Sequence, residues 1–332
     1  MNAALETLML AFSGEEASEV PGRALFLGAR PCAELKSWPE VTGWQPFRPM
    51  ADAWEEAGFT RVERPEGKWP VVMVLPGKSR DETLEWFALA RDHLEPGGRI
   101  VVAMPNTAGA SRFEKEFARA VGGVVSISKN KCRAFHAVED GSWNDELFAE
   151  WRALGSERDV EGYSVRAGIF SCDHIDAGSK LLADHFPAYF RGNVADLGAG
   201  WGFLSDRVLK RCPKIRKIDL YEADARALEC ARKNLAGHER EIGFHWHDVA
   251  AGIPEGYDTV ISNPPFHTGQ QTDVDLGRAF LKSAHGALKR GGNLWLVANR
   301  QLPYEAALDA LGMSWRKVAE DKTFKVISAD KR

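Results

Sequence analysis

The sequence predicts an α/β protein of two tandem units, each an open, mostly parallel sheet between helices, with the first unit a worn copy of the second. Three observations carry this reading. Residues 192–300 alternate short apolar runs with amphipathic helical runs, the pattern of a parallel sheet covered on both faces. The run Leu94-Glu-Pro-Gly-Gly-Arg-Ile-Val-Val-Ala103 returns as Leu288-Lys-Arg-Gly-Gly-Asn-Leu-Trp-Leu-Val297. A chain of 332 residues is long for one domain and comfortable for two.

Each element of the second half has a local reason. Residues 193–197 are a short buried strand, and 203–211 place Phe203, Leu204, Val208 and Leu209 near helical spacing. Residues 218–221 form a second strand, 224–235 a helix, 243–246 a third strand and 257–262 a fourth. A helix follows over 274–288, closed by Gly291-Gly292 as its stop, and 293–298 are a fifth strand. In the first half, Leu25-Phe-Leu-Gly-Ala-Arg30 occupies the place of Val194-Ala-Asp-Leu-Gly-Ala-Gly200. Lys131-Cys-Arg-Ala-Phe-His136 parallels Lys322-Thr-Phe-Lys-Val326 as a closing strand. The expected division is a degenerate domain over 1–140, a polar linker over 141–165 and a catalytic domain over 166–332.

Composition excludes several classes. Hydrophobic content is 44% and charged content 27%, ordinary for a globular protein. No apolar run reaches the roughly 18 residues of a membrane span, and the first ten residues lack a basic stretch, so no signal peptide is expected. The five cysteines form no CxxC pair, which points to neither a disulfide framework nor a zinc knuckle and suits the cytoplasm. Net charge is −4, so the chain is not globally basic, yet Arg207, Lys210, Arg211, Lys214, Arg216 and Lys217 crowd one stretch. That run is either a solvated surface or a phosphate-contacting patch.

The chemistry lies in two loops. Asn263-Pro-Pro-Phe266 ends the strand over 257–262, because two prolines cannot continue it. Asn263 Oδ1 and the Pro264 carbonyl can accept from a planar amine, Pro265 stiffens the tip, Phe266 can stack and His267 lies beside it. Asp196-Leu-Gly-Ala-Gly-Trp-Gly202 joins a strand to a helix, with Phe203 at the place of a dinucleotide fingerprint's third glycine. This acid-led loop, with Gly198, Ala199 and Gly200, resembles the S-adenosylmethionine loop of class I methyltransferases. Glu222, about 20 residues on, can accept ribose hydroxyls, with Asp219 as its rival, and Asp248 can accept from an adenine amine. Phe170-Ser171 and the stretch Asp176-Ala-Gly-Ser179 are placed to close over the methionine end. His245-x-His247 lacks a third ligand, so no metal is expected. The first half keeps Gly28 but has Arg30 and Pro31 in its loop and Pro76-Gly77-Lys78 at its strand tip, so it lacks these parts.

With these residues in hand, the chain resembles the bacterial ribosomal RNA small subunit methyltransferase C family. The echoes are Phe170-Ser-x-x-x-Ile-Asp-x-Gly-Ser179, Asp196-Leu-Gly-x-Gly200, Ser262-Asn-Pro-Pro-Phe-His267, Val297-Ala-Asn-Arg-x-Leu-Pro-Tyr304 and Phe324-Lys-Val326. Glu222 stands where the family more often has Asp, and Trp201 where a small residue is common. The resemblance implies two tandem class I (Rossmann-like) methyltransferase domains with seven-stranded, mostly parallel sheets, only the second holding S-adenosylmethionine. It implies a cytoplasmic monomer that methylates the N2 of a guanine in 16S rRNA of the small ribosomal subunit. His267, Phe266, Arg300, Lys210 and Arg211 are then expected to meet the RNA. A second family with the same Asn-Pro-Pro-Phe-His acts on 23S rRNA guanine. A non-catalytic RNA-binding or assembly factor and a nicotinamide-dependent oxidoreductase are the readings from other classes.

Overall fold

The computed structural model describes residues 2–13, 21–265 and 271–332, the side chains of 271–274 excepted. Phe266 and His267 therefore lie outside the described residues. Two compact units divide between Ser156 and Glu157. The first contains β1 Arg23–Leu27, β2 Glu40–Trp44, β3 Thr60–Val62, β4 Trp69–Val74, β5 Leu94–Pro105, β6 Val125–Lys129 and β7 Cys132–Val138. Their order across the sheet is β3-β2-β1-β4-β5-β7-β6. The second opens with a hairpin, β8 Arg158–Val160 and β9 Tyr163–Val165. Its sheet is built from β10 Arg191–Leu197, β11 Lys214–Glu222, β12 Glu241–Trp246, β13 Tyr257–Ser262, β14 Leu288–Asn299, β15 Ser314–Glu320 and β16 Phe324–Asp330. Their order is β12-β11-β10-β13-β14-β16-β15, the same sequence of crossovers.

Register repeats as well as order. Arg99 to Pro105 pair antiparallel with Val138 to Cys132, and Asn293 to Asn299 pair with Asp330 to Phe324 in the same way. Each sheet is thus seven-stranded with a single strand, β7 or β16, running against the other six. The matching topology supports the repeat read in the sequence. Parallel strands buried on both faces require near-continuous apolar runs, and β10 meets this demand. Val194 packs with Phe186, Ile218 and Trp295 on one face, while Ala195 and Leu197 pack with Val260, Leu281 and Leu296 on the other.

The helices of the first unit are α1 Ala3–Met9, α2 Arg48–Glu56, α3 Arg80–Asp92, α4 Ala110–Val121 and α5 Asp145–Leu154. In the second, α6 Ala177–Asp184 starts at Asp176, whose Oδ2 accepts the Ser179 N–H at 2.7 Å. Next, α7 Phe203–Arg211 buries Leu204, Val208 and Leu209 and leaves Arg207, Lys210 and Arg211 outward. Then α8 Ala225–Asn234 is capped by Asp224. The remaining two are α9 Gln271–Ala287 and α10 Tyr304–Ala310.

Two expectations are corrected. Helix α9 does not stop at the glycine pair. It ends at Ala287 and passes straight into β14, with Gly291 (φ +75°) and Gly292 inside the strand. The strand bends there, and a Cβ on Gly292 would lie 3.0 Å from the Lys289 carbonyl oxygen and 3.2 Å from that of Asp258. Nor is 141–165 an extended linker. Helix α5 packs Phe148 and Trp151 into the core of the first unit, and the β8–β9 hairpin belongs to the second.

Within the echoes over 297–304 and 324–326, Tyr304 and Lys325 brace the fold. Lys325 is only 4% exposed, and its Nζ donates to the Leu302 carbonyl and to both oxygens of Glu305. This clamps the start of α10 to β16. Tyr304 is fully buried, and a Cβ on Gly277 of α9 would stand 1.9 Å from its Oη. Alanine is about 1 kcal/mol better than glycine inside a helix, whereas overpacking a core costs roughly 1–3 kcal/mol. Gly277→Ala is therefore expected to lower the thermal midpoint by several degrees, and Tyr304→Phe in the same chain to restore most of the loss. A midpoint that is unchanged or raised in the single variant would refute this packing argument.

Candidate active site

The parallel order reverses between β10 and β13, and at such a switch point the loops diverge and leave a crevice at the strands' C-terminal edge. The Gly198 and Ala199 N–H groups both donate to the Tyr221 carbonyl, at 2.8 and 3.2 Å. The loop therefore turns back sharply, with Gly198 at φ +69° and Gly200 at φ +55°, conformations that L side chains rarely adopt. Space above Gly200 is open, since a Cβ there would meet nothing within 4 Å. Because the Tyr221 carbonyl is held by the loop, the next residue, Glu222, is brought under it. Its Oε2 accepts the Gly200 N–H at 2.7 Å and its Oε1 accepts the Asp224 N–H at 2.8 Å.

Asp196 is fully buried beneath the loop. Its Oδ2 accepts from Ser205 Oγ at 2.7 Å, while Oδ1 has no partner among the described residues. Burial, opposed by the Ser205 hydrogen bond and aided by the Glu222 charge, pushes the Asp196 carboxyl up to about 7. Burial likewise pushes Glu222 up to about 7, against the pull of its backbone donors. Two adjacent acids thus sit in a place that disfavours their charge, a common signature of a working site.

Asn263 stands at the tip of β13, beside the loop. Ser262 pairs in register with Leu197 and donates from Oγ to its carbonyl at 2.8 Å. The Asn263 Nδ2 donates to Asp176 Oδ2 at 2.9 Å and to Ser179 Oγ at 2.8 Å. A carboxylate accepts only, so the amide edge that faces it must be the NH2. Oδ1 is then turned the other way, buried and without a partner among the described residues. An orphaned buried acceptor is costly, and a ligand donor is the usual remedy. This clamp was not legible in the sequence, which placed Asp176 and Ser179 over the methionine end. The only local signal was the Asp-x-x-Ser helix cap.

The other expected residues divide. Phe170 is exposed, and its carbonyl accepts from Trp201 Nε1 at 3.1 Å. Trp201 turns inward against Tyr163 and Phe203, so a bulky residue in this loop is accommodated below it. Asp248 follows β12 on the same edge and caps a short turn through the Ala250 N–H at 2.9 Å. Pro264 is buried and Pro265 exposed. Arg300 follows β14 on this edge, paired with Glu320 at 3.0 Å. Lys210 and Arg211 are not brought to the site. They end α7, which runs from the loop back to the opposite edge of the sheet, and Lys210 pairs with the buried Asp206 at 2.8 Å. Asp219 is no rival to Glu222, because it accepts within the sheet from His245 Nε2 at 2.8 Å and Tyr257 Oη at 3.0 Å. His247 Nε2 instead contacts the Gly252 carbonyl oxygen at 2.7 Å, and among the described residues no metal-binding cluster of His, Cys, Asp or Glu occurs.

The first unit has the same frame and different contents. Gly28 and Ala29 donate to the Trp44 carbonyl at 2.9 and 3.2 Å, as Gly198 and Ala199 do to Tyr221. Superposing strand register puts Phe26 at the place of Asp196, Arg30 at Gly200, Gln45 at Glu222 and Leu75 at Asn263. Gln45 still accepts the Phe47 N–H at 3.1 Å and donates to the Ala29 carbonyl at 3.0 Å. The bracing survives and the acids do not.

The family model named methyltransferase small domain matches residues 163–328, half of the chain. A ribosomal RNA small subunit methyltransferase C from Psychromonas ingrahamii is 30% identical over 277 residues, covering 82% of this chain and 79% of that protein. One of the same name from Yersinia pestis is 33% identical over 254 residues, covering 76% and 72%. Among solved structures, the T. thermophilus 16S rRNA N2 methyltransferase in complex with AdoMet and guanosine aligns with a TM-score of 0.82. It is 24% identical, covers all of this chain and 92% of its own, and supports the two-unit fold.

The buried acids make a prediction about pH. Their ordinary values are 3.8 and 4.5, and in the folded protein each holds its proton to about 7. Unfolding therefore releases protons between those limits, so the ligand-free protein loses stability as pH rises from about 4.5 to 7 and levels off above. Asp196→Asn removes one of the two titrations and is expected to about halve the slope of thermal midpoint against pH in that window. An equal slope in both proteins would show that Asp196 is ionised throughout.

Proposed function

The chain belongs to the methyltransferase small domain family and, over most of its length, to the ribosomal RNA small subunit methyltransferase C family; from that premise we propose that its second unit transfers a methyl group from S-adenosylmethionine to the exocyclic N2 of a guanine in 16S rRNA. The observation that carries this reading is Asn263, with its amide locked by Asp176 and Ser179 and its Oδ1 left as a free acceptor beside the glycine loop. The loop's residues fit the donor molecule. Open space above Gly200 takes the ligand, Glu222 accepts from the ribose hydroxyls, and Asp196 is the buried acid beneath the loop whose ionised form a cation favours. Asp248 faces the adenine and the Phe170 segment covers the methionine end.

S-adenosylmethionine, when bound, supplies an electrophilic methyl on a good leaving group, so little acid–base help is needed. What the target amine lacks is nucleophilicity, since its lone pair is delocalised into the ring. Asn263 Oδ1 and the Pro264 carbonyl accept its two hydrogens, which favours a pyramidal nitrogen and stabilises the positive charge that grows on it. The clamp on Nδ2 fixes that geometry before the base arrives. Stacking on the base is assigned to Phe266 and contact beside it to His267 from the sequence alone, both lying outside the described residues. Guanine N2 lies in the minor groove of a duplex, so the target is unpaired or flipped out. The substrate is the RNA within the small ribosomal subunit, acted on in the cytoplasm by a monomer. The first unit, with Gln45, Arg30 and Leu75 in place of the acid, glycine and amide, carries no cofactor site and serves as scaffold or RNA holder.

The test is methylation of 16S and 23S transcripts and of small subunits, with mass mapping of the product nucleotide. Asn263→Ala is expected to lower kcat by about 10²- to 10⁴-fold, the scale for a lost transition-state acceptor, while cofactor affinity by calorimetry stays within a few fold. Ser179→Ala, which keeps Asp176 as an acceptor, is expected to fall less. Turnover by Asn263→Ala equal to wild type would sink the assigned role, and label confined to 23S rRNA would move the substrate.

A further inference from the structure

The basic run between 207 and 217 remains unexplained by the site, because it lies at the opposite edge of the sheet. The same edge carries a cavity of about 550 Å3, lined by Tyr189, Arg191, Asp258, Lys289 and Arg290 among others. These residues come from the starts of β10, β13 and β14, so the cavity is a whole strand length from Asn263. Its charge is one-sided. Asp258 is already held by Lys289 at 2.8 Å and by the Asn193 N–H at 2.8 Å, and these neighbours keep its carboxyl below the usual range. Arg191 and Arg290 have no carboxylate partner among the described residues. Lys214 extends the row, paired with Arg191 in parallel register. Glu241, Glu255 and Asp330 are further acids at this edge, and Glu241 is taken up by Lys217 at 3.3 Å. Tyr189, at 60% exposure, presents a ring at the cavity's rim.

Unpaired guanidinium groups beside an exposed aromatic ring are what single-stranded RNA demands: forks for phosphate oxygens and a platform for a base. We infer that this edge is a second RNA-binding site of the unit, in which Arg191 and Arg290 hold phosphates and Tyr189 stacks on a neighbouring base. It rests on the proposed function only in taking RNA as the partner. Its task is affinity, not chemistry. A contact a strand length from Asn263 holds the RNA by a segment other than the target nucleotide, and the two sites together fix which guanine reaches the tip.

The experiment compares wild type with Arg191→Glu/Arg290→Glu, with Tyr189→Ala, and with a charge-matched control, Lys115→Glu/Arg119→Glu. Affinity for a 16S rRNA transcript is measured over a series of salt concentrations, together with kcat at saturating RNA, cofactor affinity and thermal midpoint. The double reversal is expected to weaken RNA binding about tenfold or more and to lower the slope of log affinity against log salt by about 2, two phosphate contacts being lost. Tyr189→Ala is expected to weaken binding about tenfold with the slope unchanged, the scale of one lost base stack. All three should keep kcat and cofactor affinity. Equal RNA affinity in wild type and the double reversal overturns the site, as does an equal loss in the control pair. If wild type binds RNA without methylating it, the proposed function fails and the binding data still decide this site. A wild type that binds no RNA overturns both.

Discussion

One carbonyl organises this site. Tyr221, next to last in β11, carries an oxygen that accepts from two successive N–H groups of the neighbouring loop. That shared acceptor turns the loop back over the strand tips, with Gly198 and Gly200 in the left-handed region that glycine favours. It also brings Glu222 under the loop, where both carboxyl oxygens become backbone acceptors. The same turn leaves the end of β13 uncovered, so Asn263 emerges beside the loop and not beneath it. The glycine loop and the Asn263 tip therefore share one hinge of backbone, and the first unit shows that hinge intact around Trp44 with Phe26 and Gln45 at the places of Asp196 and Glu222.

The site was legible where the chain itself brings residues together. Asn263-Pro-Pro ends a strand by local sterics, and an acid one residue past the second strand follows from the parallel α/β pattern. The clamp on Asn263 was not legible, because Asp176 and Ser179 lie 87 and 84 residues away and approach only when α6 folds against the tip. Locally they read as a helix cap, which they also are. Sign and position parted company in the basic run. Counting lysines and arginines gives the charge, but which edge of the sheet they occupy depends on the direction of α7. The polar stretch after residue 140 misled for the opposite reason: its apolar residues, Phe148 and Trp151, are few but fully used.

Arg300 and the motifs around it illustrate a different limit. A conspicuous run such as Val297 to Tyr304 suggests contact with substrate, yet its one aromatic group, Tyr304, turns into the fold while Arg300 and Gln301 stay exposed. Lys325 satisfies the Leu302 carbonyl and Glu305, and Tyr304 fills the space that Gly277 leaves. These interactions hold the far side of β14, and through it the spacing of the strand tips. Their contribution to the site is rigidity.

Gln45 and Glu222 occupy equivalent positions and brace equivalent loops, one as a neutral amide and the other as a buried acid. The amide accepts one backbone N–H and donates to one backbone carbonyl, so the loop can be braced there without charge. A half that keeps Glu222 and Asp196 carries a standing strain in its ligand-free state that its sister has shed. The repeat thus preserves, in one chain, both sides of the exchange between stability and activity. The first half is free to become the sturdier of the two, and the second remains the one whose marginal stability a bound ligand restores.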